Sequence, residues 1–419
     1  MTARARSTSI TRVRTSCGIW ALGLFLAGCP QNVVGRAPDA RATAPDATPS
    51  DGGLTDASPD GDAIPTDAES ADTRTPDSDG ALPAPDAADP ADAGHPPDAL
   101  DGGPPAPRPP IQWQPDGLDL GSRAGRALGC FGARGVVIGD SDGRLTRRET
   151  SGAWREQWRA PRPVQAIDGV PGATHYFVLT EDAAYRFEHG VDTPRETMSL
   201  PDYPQDVAAS SADRAYLVSN LDVRGTLVPR LERLTLAGLV TVDAALPLPA
   251  VAAVWTAPPA ANTDLVVSGR GGLLEGPDTQ LTAARVVWPP ALSPGARAAF
   301  DFLSVTETAG VRLSAGSGLA ERRADGAWYV LRAEPGERLL SITAVPAGPG
   351  AAGSEPEAYA GGRLGPSGSF LRYYRGAVTP AGGDATTSIA DLCFQSPTEA
   401  YAVGNVVGGT TGVVLRGTR

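Results

Sequence analysis

The sequence predicts an all-β fold over residues 111–419, a seven-bladed β-propeller closed by its own amino-terminal strand. Three observations support it. Short runs rich in Val, Leu, Tyr and Phe alternate with Gly, Pro, Asp and Ser, with no convincing helical periodicity. These runs repeat about every 44 residues, the length of a four-stranded propeller blade. The last repeat also ends one strand short.

The repeat is clearest at the carboxyl end of the chain. A first strand is predicted at 388–394, a turn at 396–398, a second strand at 399–404 and a third at 412–416. Corresponding first strands are expected at 127–132, 164–169, 204–209, 251–256, 298–303, 339–344 and 388–394. Seven such units cover one another's faces only when they close into a ring.

The two chain ends provide a separate indication of closure. The chain stops at Arg419, after the third strand of the last unit. Units one and five are predicted to end their fourth strands with Trp154 and Trp328, and Trp113 has a similar place just before unit one. The segment around Trp113 is therefore expected to complete the last blade and to cover its exposed edge.

The motif Tyr401-Ala402-Val403-Gly404, followed by Val414-Leu415-Arg416, resembles the repeats of sialidase-like and photosystem-assembly-factor-like propellers. The resemblance extends over most of residues 120–419 but depends on short, degenerate motifs. It implies a fold and an exported protein, and it assigns no function.

The first 28 residues are typical of an export signal. Four arginines precede a short apolar run at 17–26, which is too short to span a bilayer. Leu26-Ala27-Gly28-Cys29 resembles the lipobox of bacterial lipoproteins, which implies that Cys29 becomes the lipidated first residue. A cleaved signal with an incidental cysteine is the alternative. Because Pro30 replaces the Asp of an inner-membrane retention signal, an outer-membrane or cell-surface location is expected, with the domain in the periplasm or outside.

Residues 29–110 are predicted to form a disordered stalk. Pro-Asp-Ala motifs recur there, aromatic residues are absent, and sixteen acids face four arginines. This composition buries too little apolar surface to offset the backbone entropy lost on folding. The stalk is therefore interpreted as a solvated tether.

The remaining residues carry 32 acids and 28 arginines, so the net charge of -12 belongs mainly to the stalk. All 36 basic residues are arginines. A nearly neutral domain of mixed charge argues against a nucleic-acid partner.

Two cysteines are left in the mature domain once Cys17 is cleaved off and Cys29 is lipidated. Cys130 and Cys393 are each followed by Phe and are predicted at matching positions of blades one and seven. Neighbouring inner strands approach closely enough for a disulfide. Both a bridge across the closure and two buried free thiols are open alternatives.

The sequence shows no recognisable catalytic constellation. The segment from Asp140 to Gly143 lacks the form of a sialidase aspartate box and is interpreted as a turn, as is Glu181-Asp182. Surface or packing roles are expected for His175 and His189. No catalytic residue, metal ligand or cofactor site is assigned.

The favoured hypothesis is a lipid-anchored binding or scaffolding protein that engages a surface protein or a glycan. Loops at one rim are expected to carry recognition, with the excursions at 220–228 and 405–411 as candidates. The alternative is a polysaccharide hydrolase or lyase that uses a carboxylate or tyrosine in the central channel. Ligand identity and oligomeric state are left open.

Overall fold

The structure is a computed structural model that describes residues 108–200, 203–257, 264–348, 355–382 and 386–419. The predicted signal, Cys29 and the stalk up to residue 107 lie outside the described residues. Within the described residues the strands form seven sheets of four or five strands.

Each sheet is one blade, and in five of the seven sheets the four strands are neighbours in the order in which they occur along the chain. The first strand, β1 (Gln112–Pro115), belongs to the last blade. Blade one contains β2 (Gly125–Cys130), β3 (Val136–Asp140), β4 (Arg144–Arg148) and β5 (Trp154–Arg159). Blade two contains β6 (Val164–Asp168), β7 (His175–Thr180), β8 (Ala183–Glu188) and β9 (Glu196–Ser199). Blade three contains β10 (Tyr203–Ser211), β11 (Arg214–Val223), β12 (Thr226–Thr235) and β13 (Gly238–Asp243).

The remaining blades follow the same order. Blade four contains β14 (Val251–Thr256), β15 (Asp264–Gly269), β16 (Gly272–Pro277) and β17 (Thr282–Ala283). Blade five contains β18 (Val286–Val287), β19 (Phe302–Thr308), β20 (Val311–Gly316), β21 (Leu319–Arg322) and β22 (Trp328–Arg332). Blade six contains β23 (Glu337–Ala344), β24 (Glu357–Leu364), β25 (Ser367–Tyr374) and β26 (Ala377–Pro380). Blade seven contains β27 (Thr387–Ser396), β28 (Glu399–Val406), β29 (Gly412–Thr418) and β1.

The inner wall of the ring is formed by the innermost strand of each blade, which we call its first strand. These strands are β2, β6, β10, β14, β19, β23 and β27. Each of them contacts the first strand of the next blade, and β27 contacts β2 to close the circle. One buried apolar cluster fills each of the seven interfaces between blades. The two faces of every blade are thus covered by its neighbours.

Strand β1 closes the ring as predicted. It pairs antiparallel with β29, with Gln112 opposite Thr418 and Pro115 opposite Leu415. The backbone N–H of Ile111 donates to the Tyr359 hydroxyl at 3.0 Å, and Ile111 itself is 1% exposed. The prediction of an all-β seven-bladed propeller closed by an amino-terminal strand is confirmed.

The predicted turn at Asp140 is also present. Its Oδ1 accepts hydrogen bonds from the backbone N–H groups of Asp142 and Arg144 at 2.9 and 3.0 Å. Gly143 has φ = 80°, and a Cβ there would come within 2.5 Å of the Ala160 carbonyl oxygen. The side-chain acceptor and the glycine together fix this turn.

Two details of the strand prediction are wrong. The first strand of blade five was expected at 298–303, but a short helix, α1 (Pro294–Ala298), precedes it and the strand begins at Phe302. The Ser293 hydroxyl accepts from the Ala296 N–H at 3.2 Å, so a capping serine followed by proline starts this helix. In addition, Trp154 begins β5 and Trp328 begins β22, so neither tryptophan ends its strand. In blade five, β18 pairs parallel with β22 and is the outermost strand.

All seven innermost strands share a β-bulge near their first residues. Each first strand pairs with the second strand of its blade, and at this bulge one residue of the first strand is left without an opposite residue in that pairing. These residues are Arg126, Gln165, Gln205, Ala252, Leu303, Leu340 and Ala390. Because a bulge displaces one residue from the pleat, none of these residues is buried, whereas the residue before each of them is buried.

The bulges allow the positions of the two cysteines in their strands to be compared. Cys130 is four residues beyond the bulge of blade one, and Cys393 is three residues beyond the bulge of blade seven. The expectation of matching positions is therefore wrong by one residue, because the first strands of adjacent blades are offset. The offset brings the two Cα atoms to 5.7 Å, and the structure joins their sulfurs in a disulfide.

We predict that the protein carries this bridge when it is purified without reductant and that the bridge stabilises the closed ring. Intact mass after alkylation without reductant should show that neither Cys130 nor Cys393 is modified. The Cys130→Ser/Cys393→Ser variant should lose about 2–5 kcal/mol of unfolding free energy in urea, because the bridge closes a loop of 263 residues. Two readily alkylated thiols at these positions in the purified protein would contradict the prediction.

Candidate functional site

The two rims of the ring differ in what they carry. We call the rim with the turns between the second and third strands of the blades the upper rim, and the opposite one the lower rim. Strand β1 begins opposite Thr418, at the end of β29 that is remote from its turn with β28, so the chain enters at the lower rim. Arg372 and Arg419 hold this entry by donating to the carbonyl oxygens of Arg108 and Pro109 at 2.7 and 3.1 Å.

A cleft of about 510 Å³ opens on the upper rim between blades two and three. It is lined by Glu181, Asp182, Leu200, Tyr203, Leu221, Asp222, Arg224 and Gly225. One wall comes from the β7–β8 turn, and the other from the β11–β12 hairpin and the start of β10. Its lining combines three carboxylates, one guanidinium and apolar side chains.

The β11–β12 hairpin was predicted as a loop at 220–228, and this is wrong. Both strands are ten residues long, and only Arg224 and Gly225 form the turn, with φ = 54° and 84°. Gly225 N–H donates to Asp222 Oδ1 at 2.6 Å, which suits a tight two-residue turn. Asn220 is buried and exchanges two hydrogen bonds with the backbone of Val251, so it joins blades three and four and does not contact a ligand.

The upper part of this blade exposes apolar side chains. Tyr203 is 54% exposed and Val223 is 46% exposed, although both belong to strands. Large exposed apolar residues in strands are unusual where a sheet packs against neighbours, and they are common at binding surfaces. The cleft therefore has an apolar lip beside its carboxylates.

The Glu181-Asp182 pair forms the turn that joins β7 to β8, as predicted. Glu181 accepts from Gln165 Nε2 at 3.4 Å. Asp182 accepts from the Thr180 hydroxyl at 3.0 Å and is 3.6 Å from Arg162 Nε. These contacts hold both carboxylates at the edge of the cleft, where Glu181 is partly exposed and Asp182 is exposed.

The second candidate excursion, 405–411, does form a turn on the upper rim. Strand β28 ends at Val406 and β29 begins at Gly412. Residues 408–411 are exposed, and Val406 N–H donates to the Thr411 carbonyl at 2.9 Å. This turn is four blades from blade three along the chain and does not contribute to the cleft.

Polar side chains on the inner strands join each blade to the next. An innermost strand is a sheet edge, so alternate N–H groups point away from its own blade. Side chains of the preceding blade accept from them: Asp168 from Ala209, Asp206 from Val254, Ser304 from Ile342, Thr306 from Ala344, Ser341 from Leu392 and Asp391 from Leu128, at 2.7–3.3 Å. Asp168, Thr306 and Cys393 each lie three residues after the bulge of their own strand. At this position Asp168 and Thr306 accept a hydrogen bond from the next blade, whereas Cys393 forms the disulfide.

The three inner aspartates have raised pKa values. Enclosure by the channel wall raises the pKa of Asp206 to about 8 and those of Asp168 and Asp391 to about 6. The charges of Asp168 and Asp391 raise the pKa of Asp206 further, whereas the N–H groups of Val254 and Val207 oppose the shift. Each carboxyl keeps part of its surface open to the channel.

Sequence reasoning missed these aspartates because none of them belongs to a recognisable motif. A signal was present: aspartate or serine follows the bulge residue at Asp206, Ser304, Ser341 and Asp391. An alignment of the seven first strands on their bulges would have shown this recurrence. The bulge itself is a property of the ladder and is not visible in the residues.

The two histidines of blade two lie apart from the cleft. His189 packs against Phe131 and Tyr176 with ring centroids at 4.7 and 4.9 Å, and burial lowers its pKa to about 4. His175 Nδ1 lies 2.8 Å from the Thr174 hydroxyl. The structure therefore gives His189 the packing role and His175 a local polar contact.

The described residues were also considered as possible metal ligands and membrane-spanning segments. No group of three or more His, Cys, Asp or Glu side chains in the described ranges is arranged to hold a metal ion. No helix in the same ranges is long and apolar enough to cross a membrane.

Comparisons with known proteins identify the fold alone. No family model and no curated protein matches the sequence. The crystal structure of the RRP9 WD40 repeats superposes with a TM-score of 0.54 at 11% identity, covering 74% of this chain and 99% of that one. The structure of U3-55K gives 0.51 at 12% identity, covering 73% and 98%. The chain is thus similar in architecture to seven-bladed WD40 propellers.

We predict that Asp206 makes the protein less stable as pH rises. Its unfolded carboxyl ionises near 3.8 and its folded carboxyl near 8, so the unfolded state gains stability from ionisation between these values. Asp206→Asn keeps an acceptor for the Val254 N–H and should raise the unfolding free energy at pH 8 by about 1–3 kcal/mol, with little change at pH 4.

The measurement is urea unfolding between pH 4 and pH 9. Asp222→Asn is the matched control, since Asp222 also accepts one backbone N–H but is exposed. The two variants should differ in their pH slopes. If the unfolding free energy of Asp206→Asn depended on pH in the same way as that of the unsubstituted protein, the prediction would be wrong.

Proposed function

We propose that this chain is a lipid-anchored cell-envelope binding protein that presents its propeller on a flexible acidic tether and engages a partner through the upper rim. The observation that carries the proposal is the cleft between blades two and three beside the apolar lip of Tyr203 and Val223. Clefts that combine apolar lining with a few convergent polar groups are the usual places of recognition.

The position of the chain entry supports the choice of rim. Arg108 and Pro109 are held at the lower rim by Arg372 and Arg419, and the Glu357 carboxylate pairs with both of these guanidiniums at 2.8 Å. This buried network holds residues 108 and 109 at the lower rim. A tether attached at the lower rim leaves the upper rim free to meet a partner.

The proposed anchor comes from the sequence of the leader. The lipobox ending at Cys29, and the repeat resemblance to exported sialidase-like and photosystem-assembly-factor-like propellers, support an exported bacterial lipoprotein. Several acyl chains on Cys29 would hold the protein almost permanently, because each buried methylene contributes about 0.8 kcal/mol. Pro30 supports an outer-membrane or cell-surface location.

The described carboxylates do not favour the hydrolase or lyase alternative. Asp168, Asp206 and Asp391 each accept a hydrogen bond from the backbone of the next blade, so a structural role accounts for them. Glu181 and Asp182 are neighbours on one turn, which does not set two carboxylates on opposite sides of a glycosidic bond. Binding is the function that this geometry supports best.

The anchor predicts a simple change of fraction. Cys29→Ser should move the protein from the detergent-extracted membrane fraction to the soluble fraction, because the acyl chains are lost. Immunoblots of fractionated cells measure this, with Cys17→Ser as the control that should stay in the membrane. A Cys29→Ser protein still extracted only by detergent would refute the anchor.

The binding surface predicts a specific loss on cells. Val223→Asp places a charge on the apolar lip and should reduce partner recovery at least about tenfold in crosslinking on intact cells followed by mass spectrometry. Val240→Asp is the matched control, because Val240 is 47% exposed on the outermost strand of the same blade.

The two variants separate the possible results. Loss with Val223→Asp and retention with Val240→Asp would support recognition at the cleft. Equal recovery with both variants, or recovery of cleaved glycan fragments alone, would overturn it.

A further inference from the structure

A second feature of the upper rim lies three blades away, at the beginning of blade six. Arg338 on β23 and Arg363 on β24 are directly opposite each other in the antiparallel ladder. Directly opposed side chains project from the same face with Cβ atoms about 4.5–5.5 Å apart. The two arginines therefore start from neighbouring positions on one face of the blade, and the charge of Arg363 acts on Arg338.

An ion pair lies beside these two arginines. Arg270, in the β15–β16 turn, and Asp301, before β19, pair at 3.4 Å and act electrostatically on Arg338. The group thus contains three guanidiniums and one carboxylate. Burial lowers the pKa of Arg338 and the charges of Arg363 and Arg270 lower it further, whereas Asp301 raises it.

The arginine pair is not explained by internal contacts. The Arg338 Nε atom is buried and has no hydrogen-bond partner among the described residues. Within the same residues neither Arg338 nor Arg363 forms an ion pair, whereas most of the other described arginines lie within ion-pair distance of a carboxylate. Like charges directly opposed on a sheet and a buried unpaired donor both destabilise the free protein.

We propose that Arg338 and Arg363 form an oxyanion-binding site on the upper rim, which takes a sulfate, phosphate or carboxylate group. Paired guanidinium forks match the oxygens of such groups. An anion placed there would also relieve the repulsion between the two arginines. The proposal adds a ligand class to the proposed binding function but does not depend on the cleft.

The site predicts two effects of opposite sign for the same substitution. Arg338→Gln should raise the melting temperature of the protein in chloride, because it removes a partly buried charge that lies opposite a second arginine and has no ion pair. It should also abolish the additional stabilisation by sulfate or phosphate, with an apparent affinity at least about tenfold weaker. A purely structural arginine would instead lower the melting temperature when replaced.

The experiment uses the purified mature chain at constant ionic strength. Melting temperatures are measured against sodium sulfate, phosphate and acetate, with chloride as the reference. Arg214→Gln is the matched control, since Arg214 is exposed at the start of β11 and the substitution changes the charge equally. Differences between variants cancel the general stabilisation by excluded salts.

A second arm separates a free anion from one carried by a polymer. Binding of sulfated dextran is compared with binding of unsulfated dextran and of inorganic sulfate. Tighter binding of sulfated dextran identifies a polymeric ligand, and equal affinity per sulfate identifies a free ion.

The outcomes decide the proposal without reference to the cell experiment. Loss of the anion effect in Arg338→Gln and Arg363→Gln, with retention in Arg214→Gln, supports the site. The same sulfate response in all variants, or a lower melting temperature of Arg338→Gln in chloride, overturns it. Val223→Asp should leave this titration unchanged, so failure of the cleft and failure of the anion site are distinguishable.

Discussion

Every blade of this protein has two apolar faces, and each face is covered only when a neighbouring blade packs against it. Seven separate clusters fill the seven interfaces, and the cluster between blades six and seven includes Ile111 from the amino-terminal strand. Closure is thus a condition for burial and not an added feature. The hydrogen bonds between β1 and β29 and the Cys130–Cys393 disulfide both act where the ends of the circle meet.

Closure creates a second problem at the centre of the ring, where seven sheet edges face one another. Their outward N–H groups need acceptors, and short polar side chains of the preceding blade supply them. Serine and threonine do this without charge, whereas aspartate brings a carboxyl into an enclosed wall and its pKa rises. The aspartates therefore provide hydrogen-bond acceptors for the backbone N–H groups of the inner wall, but their ionisation lowers the free energy of unfolding at higher pH.

The two rims of the ring carry different groups of residues. The lower rim holds the entering chain through a buried network around Glu357, where Arg372 and Arg419 meet. The upper rim carries an acidic cleft with an apolar lip at blades two and three, and an unbalanced arginine pair at blade six. Both upper-rim features retain an energetic cost in the free protein, which is typical of surfaces that are completed by a ligand.

The sequence by itself determined the fold class, the number of blades and the closure, because the spacing of β-type runs and the missing last strand are properties of the chain order. It also indicated the turns at Asp140 and at Glu181-Asp182, since turn chemistry is local. It misplaced the first strand of blade five, because the cap at Ser293 competes with a strand there. It also described 220–228 as a loop, because Arg224-Gly225 gives a tight turn that lets both strands continue.

Only the tertiary structure decided which residues meet. The bulge register brings Cys130 against Cys393, Asp206 against the next blade, and Arg338 opposite Arg363, and none of these neighbours are close in sequence. The reason is physical: residue type and local spacing define strands and turns, whereas the offset between strands and between blades depends on how the whole ring packs.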